Sequence, residues 1–126
     1  MSYEINVLDD HTAILLTLNS DYDVKNDTQA SGNEMLAILD AVDHQLPLIA
    51  DLRDLKVDFA SMVAGLALGT RGPSVVFGHP NISQIVFIAD SGLIRIGTKA
   101  LSQAQYGSIH VMVVDTLEEA LAMVEA

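Results

Sequence analysis

Carboxylates are the groups in this chain whose spacing comes nearest to chemistry. Asp51, Asp54 and Asp58 follow the apolar run Leu48-Ile49-Ala50, and such a trio offers oxygen ligands to a hard cation. A calcium loop of that kind needs a glycine at its sharp turn and a closing glutamate, and both are absent here. Arg53 and Lys56 interleave with the three carboxylates and offset them locally, so the segment reads as a charged strand-to-helix loop. Asp9-Asp10 together with Asp51 would suit a magnesium-dependent phosphoacceptor site. That chemistry needs a helix between the first two strands and a lysine on the last one, whereas only Asp9 to His11 separates the first two strand patterns and residues 109–114 contain no lysine.

The remaining reactive types lack the company that chemistry requires. His11, His44, His79 and His110 are isolated, with no metal-ligand spacing. Ser61, Ser74, Ser91 and Ser102 have no Gly-x-Ser-x-Gly context, and Ser61 and Ser91 stand where helix caps are expected. Gly69-Thr70-Arg71-Gly72 lacks both the Gly-Lys-Ser/Thr ending and the preceding strand of a phosphate loop. There is no cysteine, which removes disulfide and thiolate chemistry. The expectation is a protein that is not an enzyme, with no catalytic residue, no metal and no cofactor.

The elements that would position these residues follow from apolar periodicity. Residues 3–8 alternate Tyr3, Ile5 and Val7 with Glu4 and Asn6, and residues 12–18 are rich in strand formers, so the pair predicts a hairpin turning at Asp9 to His11. Residues 19–33 are polar and read as a loop feeding a helix from about Thr28, with Met35, Leu36, Ile38, Leu39 and Val42 at helical spacing. Pro47 separates that helix from a strand over 48–52. A second helix is expected over 57–68, with Gly69 as its C-cap and Ala60, Ala64, Gly65 and Ala67 making a small-residue surface. An irregular segment with an apolar Val75-Val76-Phe77 core follows. Residues 82–89 are a nearly continuous apolar run, as in a central strand buried on both faces. Asp90-Ser91 begins a third helix over 91–105, residues 109–114 form the last strand, and Thr116-Leu117-Glu118-Glu119 matches a capping box for a terminal helix. The order is β-β-α-β-α-β-α-β-α, an α/β fold with a mixed sheet flanked by helices.

Composition sets the class. At 126 residues the chain is one domain, 1–126, with no repeat or linker. It is 50% apolar and only 18% charged, against ~45–50% and ~25% for ordinary globular domains, which is consistent with apolar surface reserved for a partner. The net charge of -11, from 17 acidic and 6 basic residues, repels phosphate backbones and anionic lipid and argues against nucleic acid. No apolar stretch approaches the ~20 residues of a membrane span, and the opening residues carry Glu4, Asp9 and Asp10 but no basic region, unlike a signal peptide. A cytoplasmic protein is expected.

The opening hairpin, Leu48-Ile49-Ala50-Asp51-Leu52 leading into the helix at 57–68, the strand at 82–89, and the ending Val113-Val114-Asp115-Thr116-Leu117-Glu118-Glu119-Ala120-Leu121 together resemble the STAS domains of anti-sigma-factor antagonists, and particularly their broader SpoIIAA-like relatives. The resemblance spans nearly the whole chain. In phosphorylation-regulated members an Asp-Ser-Ser-Gly type run precedes the second helix; counted from Asp51 it falls on Phe59-Ala60-Ser61-Met62, with Ala60 at the acceptor position. The resemblance therefore implies a SpoIIAA-like regulatory and protein-interaction module without the phospho-switch.

Loops at the carboxyl ends of parallel strands are where such folds meet ligands. The candidate partner- or ligand-binding residues are Asp51, Arg53, Asp54, Asp58, Ser61, Ala64, Val76, Phe77, Asp90 and Ser91. A protein partner is expected, with a homodimer through the second helix and Val75 to Phe77. The rival reading is a carrier or sensor of a small apolar or lipid-like ligand, with those same segments as wall and lid.

Overall fold

The structure, a computed structural model, describes residues 2–8, 13–55, 60, 79–89, 92 and 111–125. They build a five-stranded mixed sheet in the order β1-β2-β3-β4-β5, from β1 (Tyr3–Val7), β2 (Ile14–Leu18), β3 (Leu46–Asp51), β4 (Ile82–Ile88) and β5 (Met112–Val114). β1 and β2 are antiparallel, as the opening hairpin requires, and every later neighbour pair is parallel. Helix α1 (Val24–Ala41) and the last described helix, α2 (Leu117–Glu125), complete the described elements.

The two helices cover opposite faces, because strand side chains alternate. On one face Ile14, Leu16, Leu18, Leu48, Ala50, Ile85 and Phe87 pack with Met35 and Leu39 of α1. On the other, Ile49, Val86, Ile88 and Val114 pack with Ala120, Leu117, Leu121 and Val124 of α2. β4 contributes to both clusters, which is why its residues 85–88 are apolar without alternation. Full burial of a side chain such as Leu39 or Ile49 stabilises by roughly 1.5–3 kcal/mol. α2 begins as expected from its capping box: the Thr116 hydroxyl oxygen accepts the Glu119 N–H at 3.1 Å.

Three sequence expectations are corrected. α1 starts at Val24, four residues before Thr28, because the acidic residues that resemble loop actually cap the helix. Asp27 N–H donates to the Asp23 carbonyl at 2.7 Å, the Asp27 Oδ2 accepts Asp23 N–H at 2.8 Å, and Asn26 Nδ2 donates to Asp23 Oδ2 at 2.7 Å. Pro47 lies within β3 rather than before it. The register shifts between Leu46, opposite Ile82, and Pro47, opposite Gln84, so the missing N–H falls at an irregularity of the ladder. The last strand is shorter than 109–114: ladder pairing with β4 begins at Met112, and Val111 stands outside it. The helices expected over 57–68 and 91–105 lie outside the described residues apart from Ala60 and Gly92, which are helical and exposed.

Candidate functional site

The parallel strands bring Thr17, Asp51 and Ile88 into one row at the carboxyl edge of the sheet. Leu52 still donates its N–H to the Ile88 carbonyl at 2.9 Å and buries its side chain, so the chain leaves the sheet from a fixed point. A tight turn follows, closed by Leu55 N–H on the Leu52 carbonyl at 3.2 Å, and it leaves Arg53 and Asp54 outside.

Asp51 holds this turn. Its Oδ1 accepts the Arg53 backbone N–H at 3.2 Å and Nε at 3.0 Å, while Oδ2 accepts Nη2 at 2.7 Å. This two-point match of a planar guanidinium to a carboxylate restricts the loop far more than a single contact would. The Asp51 side chain is 14% exposed and that of Arg53 41%, so the acid faces inward and the base outward. The Arg53 hydrogen bond holds the Asp51 carboxyl below its ordinary range, outweighing the upward push of burial. An aspartate in that state is a weak proton acceptor with both oxygens engaged, better suited to shaping a loop than to general base work.

Of the other residues predicted for the site, Asp54 is exposed at the same turn. Asp58, Ser61, Ala64, Val76, Phe77, Asp90 and Ser91 lie outside the described residues. The neighbouring rim position after β5 is occupied by exposed Asp115 and by Thr116, which caps α2. Among the described residues no three histidine or carboxylate side chains converge as a metal site, and no helix is long and apolar enough to cross a membrane.

Two polar clusters escaped the sequence reading. At the rim beside β1, the Tyr3 phenol donates to Glu34 Oε2, and the Tyr22 phenol lies 3.1 Å from both the Thr28 hydroxyl and the buried Ser31 hydroxyl. The two rings meet edge to face, with centroids 6.2 Å apart. The Glu34 hydrogen bond, burial and the nearby carboxylate charge push the Tyr3 phenol up to about 12; burial raises Tyr22 against the lowering effect of Ser31 and Thr28. Both phenols therefore stay protonated at neutral pH; Tyr3 braces β1 against α1, and Tyr22 braces the loop before α1 against the helix itself. The only sequence signal was an aromatic, Tyr22, inside an otherwise polar loop, together with Ser31, Met35 and Leu39 at helical spacing.

The second cluster lies at the opposite, amino end. Asn81 Nδ2 donates to the Leu39 and Val42 carbonyls at 2.8 and 3.3 Å, closing the end of α1, and Gln45 Nε2 donates to the Pro80 carbonyl at 2.9 Å. Asn81 N–H donates to His79 Nδ1 at 3.0 Å, which leaves the ring proton on Nε2 to donate to Asp40 Oδ1 at 2.8 Å.

No protein-family model matches the chain, and no curated protein matches it. A solved structure does: the crystal structure of an uncharacterized protein of the DUF3478 family with a SpoIIAA-like fold, from Shewanella loihica. It is 12% identical, with a TM-score of 0.58 over 97% of this chain and 91% of that one. Agreement of topology over nearly the whole length, at an identity too low to carry residue roles, shows that this chain has the SpoIIAA-like fold its hairpin and strand-Asp-Leu passage resemble.

Proposed function

We propose that this domain is a non-enzymatic, regulatory protein-interaction module that meets its partner through the rim at Asp51, Arg53 and Asp54. The observation that carries this reading is the two-point Asp51–Arg53 pair: the carboxylate that ends β3 is committed to holding a turn that displays Arg53 and Asp54 in a preset shape. A preset surface lowers the ordering cost of association. Within this reading the module has no phospho-switch, since Ala60 stands where the resemblance places the acceptor and its side chain has no hydroxyl.

The test is co-purification of the tagged full chain from its source cells, with native mass measurement of what remains bound. A protein species retained by the wild type and lost with Arg53→Glu or Asp54→Lys supports the module. A small molecule retained without any protein would instead favour the carrier reading, whose proposed wall and lid lie outside the described residues. Turnover above background that disappears with Asp51→Ala would make the protein an enzyme and end the proposal.

A further inference from the structure

The open side of β1 points to a second interaction surface, distinct from the carboxyl rim. Among the described residues β1 pairs with β2 alone, in the register Tyr3 opposite Leu18 through Val7 opposite Ile14. The phase of that ladder follows from its two ends: Leu8 N–H donates to the Ala13 carbonyl and Asn19 N–H to the Ser2 carbonyl, both at 2.8 Å. In an antiparallel pair, directly opposed residues alternate between hydrogen-bonded and non-bonded positions. Ser2, Glu4, Asn6 and Leu8 are thus the residues bonded to β2, and the backbone N–H and C=O groups of Tyr3, Ile5 and Val7 point away from the sheet. Among the described residues none partners them.

Among the described residues, that edge carries one charge, Glu4, and few of the usual protections. It has no proline, no lysine and no bulge, and Val7 is 37% exposed beside half-buried Ile5. It is also self-complementary. A two-fold axis through Ile5 sets Ile5 against Ile5 of a second copy and Tyr3 against Val7, each pair exchanging both backbone hydrogen bonds. On that face the cross-strand pairs are β-branched with β-branched and aromatic with β-branched, both favourable combinations. On the other face Glu4 meets Asn6, so no like charges stand directly opposite despite the net charge of -11. An isologous contact of this kind closes at two subunits. We propose that two copies of this chain associate through antiparallel β1–β1 pairing centred on Ile5, joining their sheets into one.

Sedimentation of the full chain from low micromolar to submillimolar concentration reads the association, and amide exchange reads its register. The expected result is a concentration-dependent dimer in which the Tyr3, Ile5 and Val7 amides gain protection, while Glu4 and Asn6 are protected in monomer and dimer alike. Val7→Pro removes an outward N–H without touching the β2 ladder and should weaken the dimer at least about tenfold with the fold intact. Asn6→Glu places two carboxylates opposite each other at both symmetric positions and should weaken it similarly, and adding Glu4→Lys should restore it. A chain that stays monomeric throughout, one that binds only a foreign strand at this edge, or a dimer indifferent to both Val7→Pro and Asn6→Glu would overturn the proposal.

Discussion

The two ends of the central strands β3 and β4 use polar side chains in opposite ways. At the amino end the hydrogen bonds join residues far apart in sequence: Asn81 reaches Leu39 and Val42, Gln45 reaches Pro80, and His79 reaches Asp40. At the carboxyl end of β3 the strong contact is local, between Asp51 and Arg53 two residues later, and the long-range Tyr3–Glu34 bond at that rim stands beside β1, away from this turn. Long-range bonds dock α1 onto the strands, and losing them exposes the end of a helix. The local pair fixes only the shape of a turn. A rim built in this way can change its surface residues with little effect on the fold, as expected of loops that carry interaction. This difference separates what holds the domain together from what it displays.

The comparison breaks most readily at Asn81. Asn81→Ala should destabilise the domain by about 2 kcal/mol, because α1 loses the side-chain amide that satisfies its last carbonyls in a partly buried place; urea unfolding with an unchanged slope measures it. A loss no larger than that of the rim variants would erase the distinction between the two ends. Thr116→Ala, which removes a cap at the rim, should cost about 1 kcal/mol and fray α2, seen as faster amide exchange at Glu118 to Ala120.

Arg53→Ala sharpens the contrast through pH. Its cost at neutral pH should be about 0.5 kcal/mol, since the pair is partly exposed and screened. Asp51 is held below its ordinary range, so the contribution is present in full above the unfolded aspartate value of ~3.9. It is lost as pH falls through the lowered folded value. Unfolding curves of wild type and Arg53→Ala should therefore converge on acidification, and curves that separate further in acid would mean the pair has been misassigned. The smallest effect on stability belongs to Asp54→Lys, within about 0.5 kcal/mol at an exposed turn, with full loss of the co-purified partner. Should the same substitution unfold the domain, the rim is part of the scaffold.

Much of this architecture was legible because it is written in local periodicity. Alternation in Tyr3 to Val7, the nearly continuous apolar run of β4, buried from Ile85 to Ile88, and the Thr116 to Glu119 capping box each report a nearby physical constraint that the structure bears out. The position of Asp51 at the rim was likewise readable, since an apolar run that stops at a charge marks the end of a buried strand. Asp23, Asn26 and Asp27 were misread as loop because the same side chains that favour turns also cap helices, and only the helix that follows decides between them. Pro47 was misread as a boundary because a bulge in the partner strand, invisible from β3 itself, accommodates its missing donor.

By itself, then, the order of apolar and polar residues determined the presence of the described strands and of the terminal helix, the antiparallel opening and the strand ending in Asp51, all of which depend on neighbours within a turn or a pleat. Tertiary structure alone decided that Asn81 closes α1, that Tyr3 bonds Glu34 and Tyr22 approaches Ser31, and that Asp51 turns inward to Arg53. Side-chain hydrogen bonds act over about 3 Å, and whether two groups come that close depends on how helices settle on the sheet, which no spacing along the chain specifies.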